Sequence, residues 1–180
     1  MIFKKFFGRE EEEPDYDPTN ITLKDLEVGF MVDYDLKTWE VVAHYEYDWG
    51  DSFFTDEYKI QSSDAALYLH LEDDDELEIS LSHKLKLKQV DEDIPKHFRS
   101  GDDPPETLTY EGVTYALEEE VLGSFKNVRS EHWSDFISWE YVHPDDDDLF
   151  LTLERWGEDE FELSQGRYLE EFKFSNILPA

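Results

Sequence analysis

The sequence predicts an all-β fold made of two similar small antiparallel sheets, or SH3-like open barrels, that arise from an internal duplication. The first observation is a stretch that occurs twice, and the second is an alternation of apolar and polar residues within each copy. The third is an aromatic content of 16%, because Tyr, Phe and Trp favour strands. The repeated blocks are Glu57-Tyr58, LYLHLE at 67–72 and ELEIS at 76–80 in the first copy, and Glu140-Tyr141, LFLTLE at 149–154 and EFELS at 160–164 in the second.

Each copy contains a predicted hairpin. In the first copy Leu69 and Leu71 flank His70, and the following block continues the pattern with Ile79 and Leu81. A period of two places the apolar side chains on one face of a strand and the polar or aromatic ones on the other. The acidic residues 73–75 in the first copy and the glycine-containing residues 156–159 in the second are typical of hairpin loops.

The chain begins with a predicted flexible leader, residues 1–19. Residues 1–8 are aromatic and basic, and an acidic run with two prolines follows them. Such a shift in composition is typical of a mobile tail. The alternative is peripheral contact with an anionic membrane, which the short length of the segment disfavours. The side chains that would make this contact are Phe3, Lys4, Lys5, Phe6 and Phe7.

The first β-repeat is predicted over residues 20–90. Thr22 and Asp25 have the spacing of a capping box, which predicts one helical turn over residues 23–28. Strands are expected at 30–34, 39–47 and 53–60, before the repeated hairpin. Residues 84–88 alternate lysine with leucine, which is typical of an edge strand guarded by lysines.

Residues 91–107 are predicted to link the copies, and the second β-repeat is predicted over residues 108–180. The linker contains Pro95, Pro104 and Pro105, which cannot donate to a sheet ladder. Beyond the turn at 23–28, no stretch of the chain is predicted to be helical.

The composition excludes several classes of protein. The 180 residues include 47 acidic and 16 basic side chains, so the net charge is −31 and phosphate backbones are repelled. Nucleic acid is therefore not expected as a partner. The absence of cysteine excludes disulfides and thiolate metal sites. Without an apolar run of about twenty residues or a secretory signal, we predict a cytoplasmic protein, peripheral at the inner membrane face if the leader binds lipid.

Two acidic turns could supply oxygen ligands to a metal such as calcium. Their spacing does not match an EF-hand loop, and acidic turns are expected in a chain this rich in carboxylates. The interpretation as solvated turns is therefore favoured over a metal site. The candidate ligands are Asp73, Asp74, Asp75, Asp145, Asp146, Asp147 and Asp148.

The sequence contains no recognisable catalytic motif. The six histidines do not form a metal motif, and no nucleophile elbow, dinucleotide-binding turn or phosphate loop occurs among the eight glycines. We therefore predict that the protein is not an enzyme and has no catalytic residue and no cofactor.

The repeated Glu-Tyr pairs are interpreted as structural. A duplicated motif keeps what both copies need in order to fold, and a tyrosine with a buried ring suits a small sheet. Tyr58 and Tyr141 are therefore predicted to be core residues. Nothing in the order of the 47 acidic residues singles out a pair of carboxylates for acid–base chemistry.

Several segments resemble one bacterial family. They are LKDLEVGFMVDY, Trp39, DEYKI and LYLHLE, followed in the second copy by TYEGVTYAL, SWEYV and LFLTLERW. From residue 22 to the end, the chain resembles the family catalogued as domain of unknown function 4178. The resemblance implies a β-rich bacterial protein without an established activity, from a family often encoded near small membrane proteins, phage-shock-type proteins and aminopropyltransferases. No catalytic residue is implied by it.

Two functions of different classes are expected. The first is a non-enzymatic module that binds a protein partner of unknown identity, with Trp49, Trp133 and Trp156 as contacts, since aromatic residues at loop tips suit interfaces. Trp133 and Trp156 are equally suited to a core. The alternative is an acidic protein that binds a polyamine, a metal or another small cation, which the charge and the neighbours of the resembled family favour. The sequence leaves the oligomeric state open.

Overall fold

The computed structural model describes residues 16–100 and 103–180, and within them eleven strands belong to one antiparallel sheet. The all-β prediction is confirmed. The strands of both halves share this sheet, so two separate sheets or open barrels are not observed. The strands are β1 (Met31–Tyr34), β2 (Lys37–Asp48), β3 (Phe54–Gln61), β4 (Ala66–Asp73), β5 (Leu77–Leu85), β6 (Thr107–Tyr110), β7 (Val113–Asn127), β8 (Ser134–Val142), β9 (Leu149–Arg155), β10 (Phe161–Tyr168) and β11 (Phe174–Leu178).

Eight of these strands close into a ring. Strands β2 to β5 are consecutive neighbours, β5 pairs with β10, and β10, β9, β8 and β7 follow in that order. The end of β2 then pairs with the end of β7, where Tyr45 lies opposite Asn127 and Asp48 opposite Ser124. Strands β1, β11 and β6 extend the sheet outside the ring. Closure leaves the short strands β11 and β6 as the edges of the described sheet, and short edges are less prone to pairing with another chain.

The two predicted hairpins lie side by side in the ring. In β4 and β5 Leu71 lies opposite Ile79, and in β9 and β10 Leu153 lies opposite Leu163. The apolar face of each hairpin is directed away from the interior of the ring. Leu69, Leu71 and Ile79 belong to one hydrophobic core, whereas Leu151, Leu153 and Leu163 belong to a second.

Each core lies on the outer face of the ring beneath a covering segment. Leu23, Leu26 and Phe30, which precede β1, cover the first core together with Phe174 of β11. Ile94 and Phe98 cover the second core. Strand β11 therefore contributes to the first half, although it comes from the end of the predicted second repeat.

Two β-bulges turn the side chains of the long strands from a core to the interior. The register of β2 shifts between Val41 and Ala43, and that of β7 shifts between Leu117 and Glu119. Before its bulge β2 buries Val41 in the first core, whereas after it Tyr47 lines the interior of the ring. One extra residue reverses the alternation of faces, and this allows one strand to serve both sides of the sheet.

A short helix, α1 (Ile94–Ser100), lies in the predicted linker, where the sequence indicated none. Pro95 is tolerated because it occupies the first turn, where its missing N–H would have no partner in the helix. Ile94 and Phe98 lie four residues apart and both contact the second core, which stabilises the helix. In the described part of the chain, no helix has the length and hydropathy needed to span a bilayer.

The predicted turn after Thr22 is present as a 3₁₀ helix at Leu23–Asp25. The Asp25 carboxylate accepts hydrogen bonds from the backbone N–H of Thr22 at 2.7 Å and from its hydroxyl at 2.8 Å. This half of a capping box fixes the start of the turn.

The prediction of an edge strand at 84–88 is wrong. Lys84 and Leu85 end β5, which pairs with β4 on one side and β10 on the other, and Leu87–Gln89 form a 3₁₀ turn. The physical reason is that Lys84 meets carboxylates within the ring rather than solvent at a free edge.

Gly166 of β10 lies directly opposite Phe150 of β9, and a Cβ built on this glycine would overlap the Phe150 ring. We expect Gly166→Ala to lower the free energy of unfolding by about 1–3 kcal/mol, the range for overpacking. Chemical denaturation measures this loss. Gly157→Ala is the matched control, because the nearest atom to its Cβ would lie 4.0 Å away and little change is expected.

The double variant Gly166→Ala/Phe150→Ala tests the cause of that loss. Removing the ring removes the clash, so the two substitutions should cost less together than the sum of their separate effects. Additive losses would show that the glycine is needed for another reason.

Candidate cation-binding cavity

The interior of the ring is a cavity of about 510 Å³, and all eight strands of the ring contribute to its wall. Such a volume is typical of sites for small molecules. The wall is unusually charged, with six glutamates and, among the described residues, a single lysine. These charged residues are Glu57, Glu72, Glu78, Glu119, Glu140, Glu154 and Lys84.

One end of the cavity, the lysine end, is centred on Lys84. The Lys84 ammonium nitrogen lies 2.6 Å from the Glu162 carboxylate and 3.5 Å from that of Glu154. It also lies 5.1 Å from the centre of the Tyr68 ring, a distance typical of a cation–π contact. The side chain of Lys84 is 38% exposed and that of Glu162 is 50% exposed, so this end opens to solvent.

The carboxylates of the lysine end are partly neutralised by that ammonium. Burial raises the pKa of Glu57 to about 7 although Lys84 opposes the shift, and burial also raises the pKa of Glu154. Burial alone would lower the pKa of Lys84, but attraction to the surrounding carboxylates outweighs it and raises that pKa above its usual range. Lys84 therefore remains protonated at neutral pH.

The opposite end, the tyrosine end, is centred on Tyr168, whose ring packs against Phe150 with 5.0 Å between the ring centres. Burial, followed by repulsion from Glu119 and Glu78, raises the pKa of Glu140 to about 7. Burial and repulsion from Glu78 also raise the pKa of Glu72. No lysine or arginine in the described ranges forms an ion pair with these four glutamates. The tyrosine end therefore carries uncompensated negative charge.

Neutral polar groups also line the cavity. The His70 ring contacts the Tyr47 ring edge-on at 5.5 Å, and burial lowers the pKa of His70 to about 4, so it is uncharged at neutral pH. The Tyr47 hydroxyl donates a hydrogen bond of 3.2 Å to Glu57. Ser164 is only 7% exposed and lines the cavity, and no residue that the structure describes forms a hydrogen bond with its hydroxyl.

Aromatic rings pack where β2 and β7 close the ring. The Tyr47 and Trp49 rings stack at 5.5 Å, and the Trp156 ring stacks on that of Phe136 at 4.6 Å. Phe136 joins the two pairs, since its ring contacts those of Tyr47 and Trp49. These contacts pack the aromatic residues against the neighbouring cavity wall, which includes Tyr47.

The family model described as domain of unknown function (DUF4178) matches residues 27–171. The chain belongs to this family. It is also similar to an uncharacterized protein of Aquifex aeolicus (strain VF5), with 32% identity over 176 residues that cover 98% of this chain and 96% of the relative. No solved structure matches. The matched family region extends from the segment before β1 to the turn after β10, so it includes every strand that lines the cavity.

The acidic turns predicted as weak metal candidates lie outside the ring interior. Asp73 forms an ion pair with Lys24 at 2.5 Å, and Asp146 forms one with Arg167 at 3.2 Å. Asp74, Asp75 and Asp148 border one surface groove. Within residues 16–100 and 103–180, no group of three or more acidic or histidine side chains is arranged to hold a metal ion.

The sequence also predicted partner contacts at three tryptophans and membrane contacts in the leader. Trp49 and Trp156 belong to the aromatic packing described above, and Trp133 lies 4.4 Å beneath the Lys126 ammonium, so all three are partly buried. The leader residues Phe3, Lys4, Lys5, Phe6 and Phe7 lie outside the described residues.

The cavity glutamates are the residues that sequence reasoning missed. Glu57 and Glu140 precede the predicted core residues Tyr58 and Tyr141, so strand alternation directs each carboxylate to the face opposite the cores. The signal was the repeat itself, which keeps the glutamate as well as the tyrosine.

Proposed function

We propose that the central cavity binds a small organic cation. The observation that supports this most is a partly open cavity with six glutamates and one lysine in its wall. A carboxylate removed from water is destabilised unless a cation or a proton neutralises it, and the raised pKa values of Glu57 and Glu140 express that cost. A cation that enters the cavity replaces the proton and supplies the missing charge.

An organic cation fits this wall better than a bare metal ion. A metal requires several oxygen or nitrogen ligands converging on one point, and the described residues contain no such group. An alkylammonium instead donates separate hydrogen bonds to spread carboxylates and gains from contact with aromatic faces. Lys84 provides an example within the cavity, since its ammonium contacts two carboxylates and the Tyr68 ring.

Isothermal titration calorimetry with n-butylammonium chloride tests the proposal, with n-butanol as the neutral control. We expect saturable binding of the cation with one equivalent per chain at about 0.15 M salt, where diffuse surface attraction is largely screened. The alcohol should not bind, because it lacks the charge that the carboxylates require.

A pair of double variants locates the binding to the cavity. Glu57→Gln/Glu140→Gln removes one carboxylate from each end, and we expect affinity to fall by about tenfold or more. Glu76→Gln/Glu160→Gln removes the same charge from exposed turns and should leave affinity unchanged. Absence of saturable binding, or an equal loss in both variants, would refute binding in the cavity.

The common origin of the two halves forms part of this proposal. We propose that strands β1 to β5 and β6 to β10 descend from one duplicated unit. Each half begins with a short strand paired to a long bulged strand and ends with a hairpin of the repeated sequence. A closed ring of two such units produces a cavity with two related ends.

The interaction with a protein partner remains a prediction. Its proposed contacts Trp49 and Trp156 pack against other aromatic rings, and their burial favours a structural role for both. The cavity is therefore the better supported site of function.

A further inference from the structure

The pairing of β5 with β10 makes the two ends of the cavity comparable position by position. In this antiparallel pair Lys84 lies opposite Ser164, and Tyr168 lies opposite Ser80. Lys84 and Tyr168 therefore occupy symmetry-related positions on the two strands. Both side chains project into the ring, and each reaches a group of carboxylates at its own end.

The surroundings of Lys84 and Tyr168 correspond closely. Lys84 experiences the charges of Glu154, Glu162 and Glu57, whereas Tyr168 experiences those of Glu140, Glu78 and Glu72 and, in addition, that of Glu119. The ring of Tyr68 lies beside Lys84, and that of Phe150 lies beside Tyr168. The repeat aligns the two sets in sequence as Glu57 with Glu140, Tyr68 with Phe150, Glu72 with Glu154 and Glu78 with Glu162.

The chain supplies an ammonium to one set of carboxylates and a phenol to the other. We infer that the ligand is a primary alkylamine whose ammonium binds at the tyrosine end, among Glu72, Glu78 and Glu140. This inference rests on the proposed function, because it names the ligand class and its place in the same cavity. A primary ammonium has three donors, as Lys84 does, and so it can satisfy a set of three carboxylates.

An unpaired hydroxyl in the cavity wall provides a further contact for a ligand. Ser164 is 7% exposed as a residue, lines the cavity opposite Lys84 and makes no side-chain hydrogen bond to a described residue, so its hydroxyl faces the cavity. A hydroxyl that faces a cavity without a protein partner can bond to water or to a molecule bound there. A ligand whose ammonium lies at the tyrosine end meets Ser164 only if it extends to the lysine end, which favours an amine carrying a second polar group on a chain that spans the cavity.

Glu78→Gln and Glu162→Gln form a matched pair for testing this assignment. Both residues are exposed, Glu78 in the cavity wall and Glu162 beside Lys84, so neither substitution should prevent folding. We expect Glu78→Gln to weaken n-butylammonium binding by about tenfold in calorimetry, and Glu162→Gln to leave it within about twofold of the unsubstituted chain. The reverse order would place the ligand at the lysine end and overturn the inference.

Exchanging the central residues provides a stronger test. Tyr168→Lys places a tethered ammonium at the tyrosine end and should abolish binding of n-butylammonium. Lys84→Met removes the tethered ammonium and should raise the stoichiometry from one equivalent to two, while the surface control Lys88→Met stays at one. Binding that survives in a folded Tyr168→Lys protein would contradict the inference.

The outcomes separate this inference from the proposed function. If the unsubstituted chain binds no alkylammonium, the proposed function itself fails. If it binds one equivalent but Tyr168→Lys and Glu78→Gln do not weaken binding, only the assignment to the tyrosine end fails. n-Butanol and tetramethylammonium test the ligand class, since neither should bind as tightly as the primary amine n-butylammonium.

Discussion

Replacing Tyr141 by alanine is expected to lower the free energy of unfolding by about 3–5 kcal/mol, the range for truncation of a buried aromatic residue. The Tyr141 side chain is fully buried in the second core, and its hydroxyl donates a hydrogen bond of 2.9 Å to the carbonyl of Pro105. Truncation leaves a cavity and also leaves that carbonyl without its partner. Chemical denaturation followed by tryptophan fluorescence measures the loss.

Tyr58 is the corresponding residue of the first core and provides a comparison. It is 3% exposed and stacks on His44 with 4.4 Å between the ring centres, but no described residue forms a hydrogen bond with its hydroxyl. Tyr58→Ala should therefore cost several kcal/mol through lost packing. Tyr141→Phe should cost about 1 kcal/mol and Tyr58→Phe less, because only the former loses a hydrogen bond.

A stability unchanged by either alanine substitution would contradict the structural interpretation of the Glu-Tyr pairs. The clearest contradiction would be an alanine variant that keeps normal stability but no longer binds n-butylammonium. The tyrosines would then serve the cavity rather than the cores.

The period-two pattern was sufficient to predict the hairpins and their buried faces. Leu69 and Ile79 in one copy, and Leu151 and Leu163 in the other, lie in cores as alternation requires. This success has a local cause, since strand alternation depends only on neighbours along the chain. The same pattern identified the polar face without indicating what that face contacts.

The closure of the ring depends on contacts that no local pattern encodes. Residues 45–48 pair with residues 124–127, and two bulges must first turn the faces of both strands. A one-residue bulge reverses every later side chain, so alternation read without it assigns Tyr47 to the wrong side. For this reason the local sequence pattern could not predict the cavity.

The edge-strand prediction at Lys84 was wrong because the sequence pattern did not indicate that the ring closes. Lysines on a strand normally mark a solvent-exposed edge, and the sequence at 84–88 fits that rule. Within the ring, however, Glu154 and Glu162 neutralise Lys84 on a central strand. The sequence contained both partners, but only the pairing of β5 with β10 brings them together.

The stability of the chain is expected to rise as the pH is lowered from about 8 to about 6.5. Glu57 and Glu140 have folded-state pKa values raised to about 7 from 4.5, so the folded state retains protons that the unfolded state has released. Their stabilising effect is complete below about pH 4.5 and disappears as the pH rises through about 7. Their contribution changes most steeply between about pH 4.5 and 7, and the interval from pH 8 to 6.5 covers the upper part of that change.

His70 acts in the opposite direction at lower pH. Its folded-state pKa is lowered to about 4 from 6.5, so below pH 6.5 the unfolded state binds a proton that the folded state excludes. That stabilising effect is complete above about pH 6.5 and is lost as the pH falls towards 4. Between pH 8 and 6.5 the carboxyl contribution is the larger of the two, because the His70 effect only begins near the lower limit.

Glu140→Gln tests this contribution, because an amide resembles the protonated carboxyl group and no described cation pairs with Glu140. Urea denaturation in amine-free phosphate buffer at pH 8.0, 7.2 and 6.5 measures the free energy of unfolding. We expect the variant to be more stable than the unsubstituted chain at pH 8 and to depend less on pH, at about 1.4 kcal/mol for each unit of pKa shift removed. Glu160→Gln, on an exposed turn, should leave the pH dependence unchanged. A Glu140→Gln protein with the same slope between pH 8 and 6.5 would show that Glu140 is already ionised in the folded cavity, and a cation would then displace no proton from it on binding.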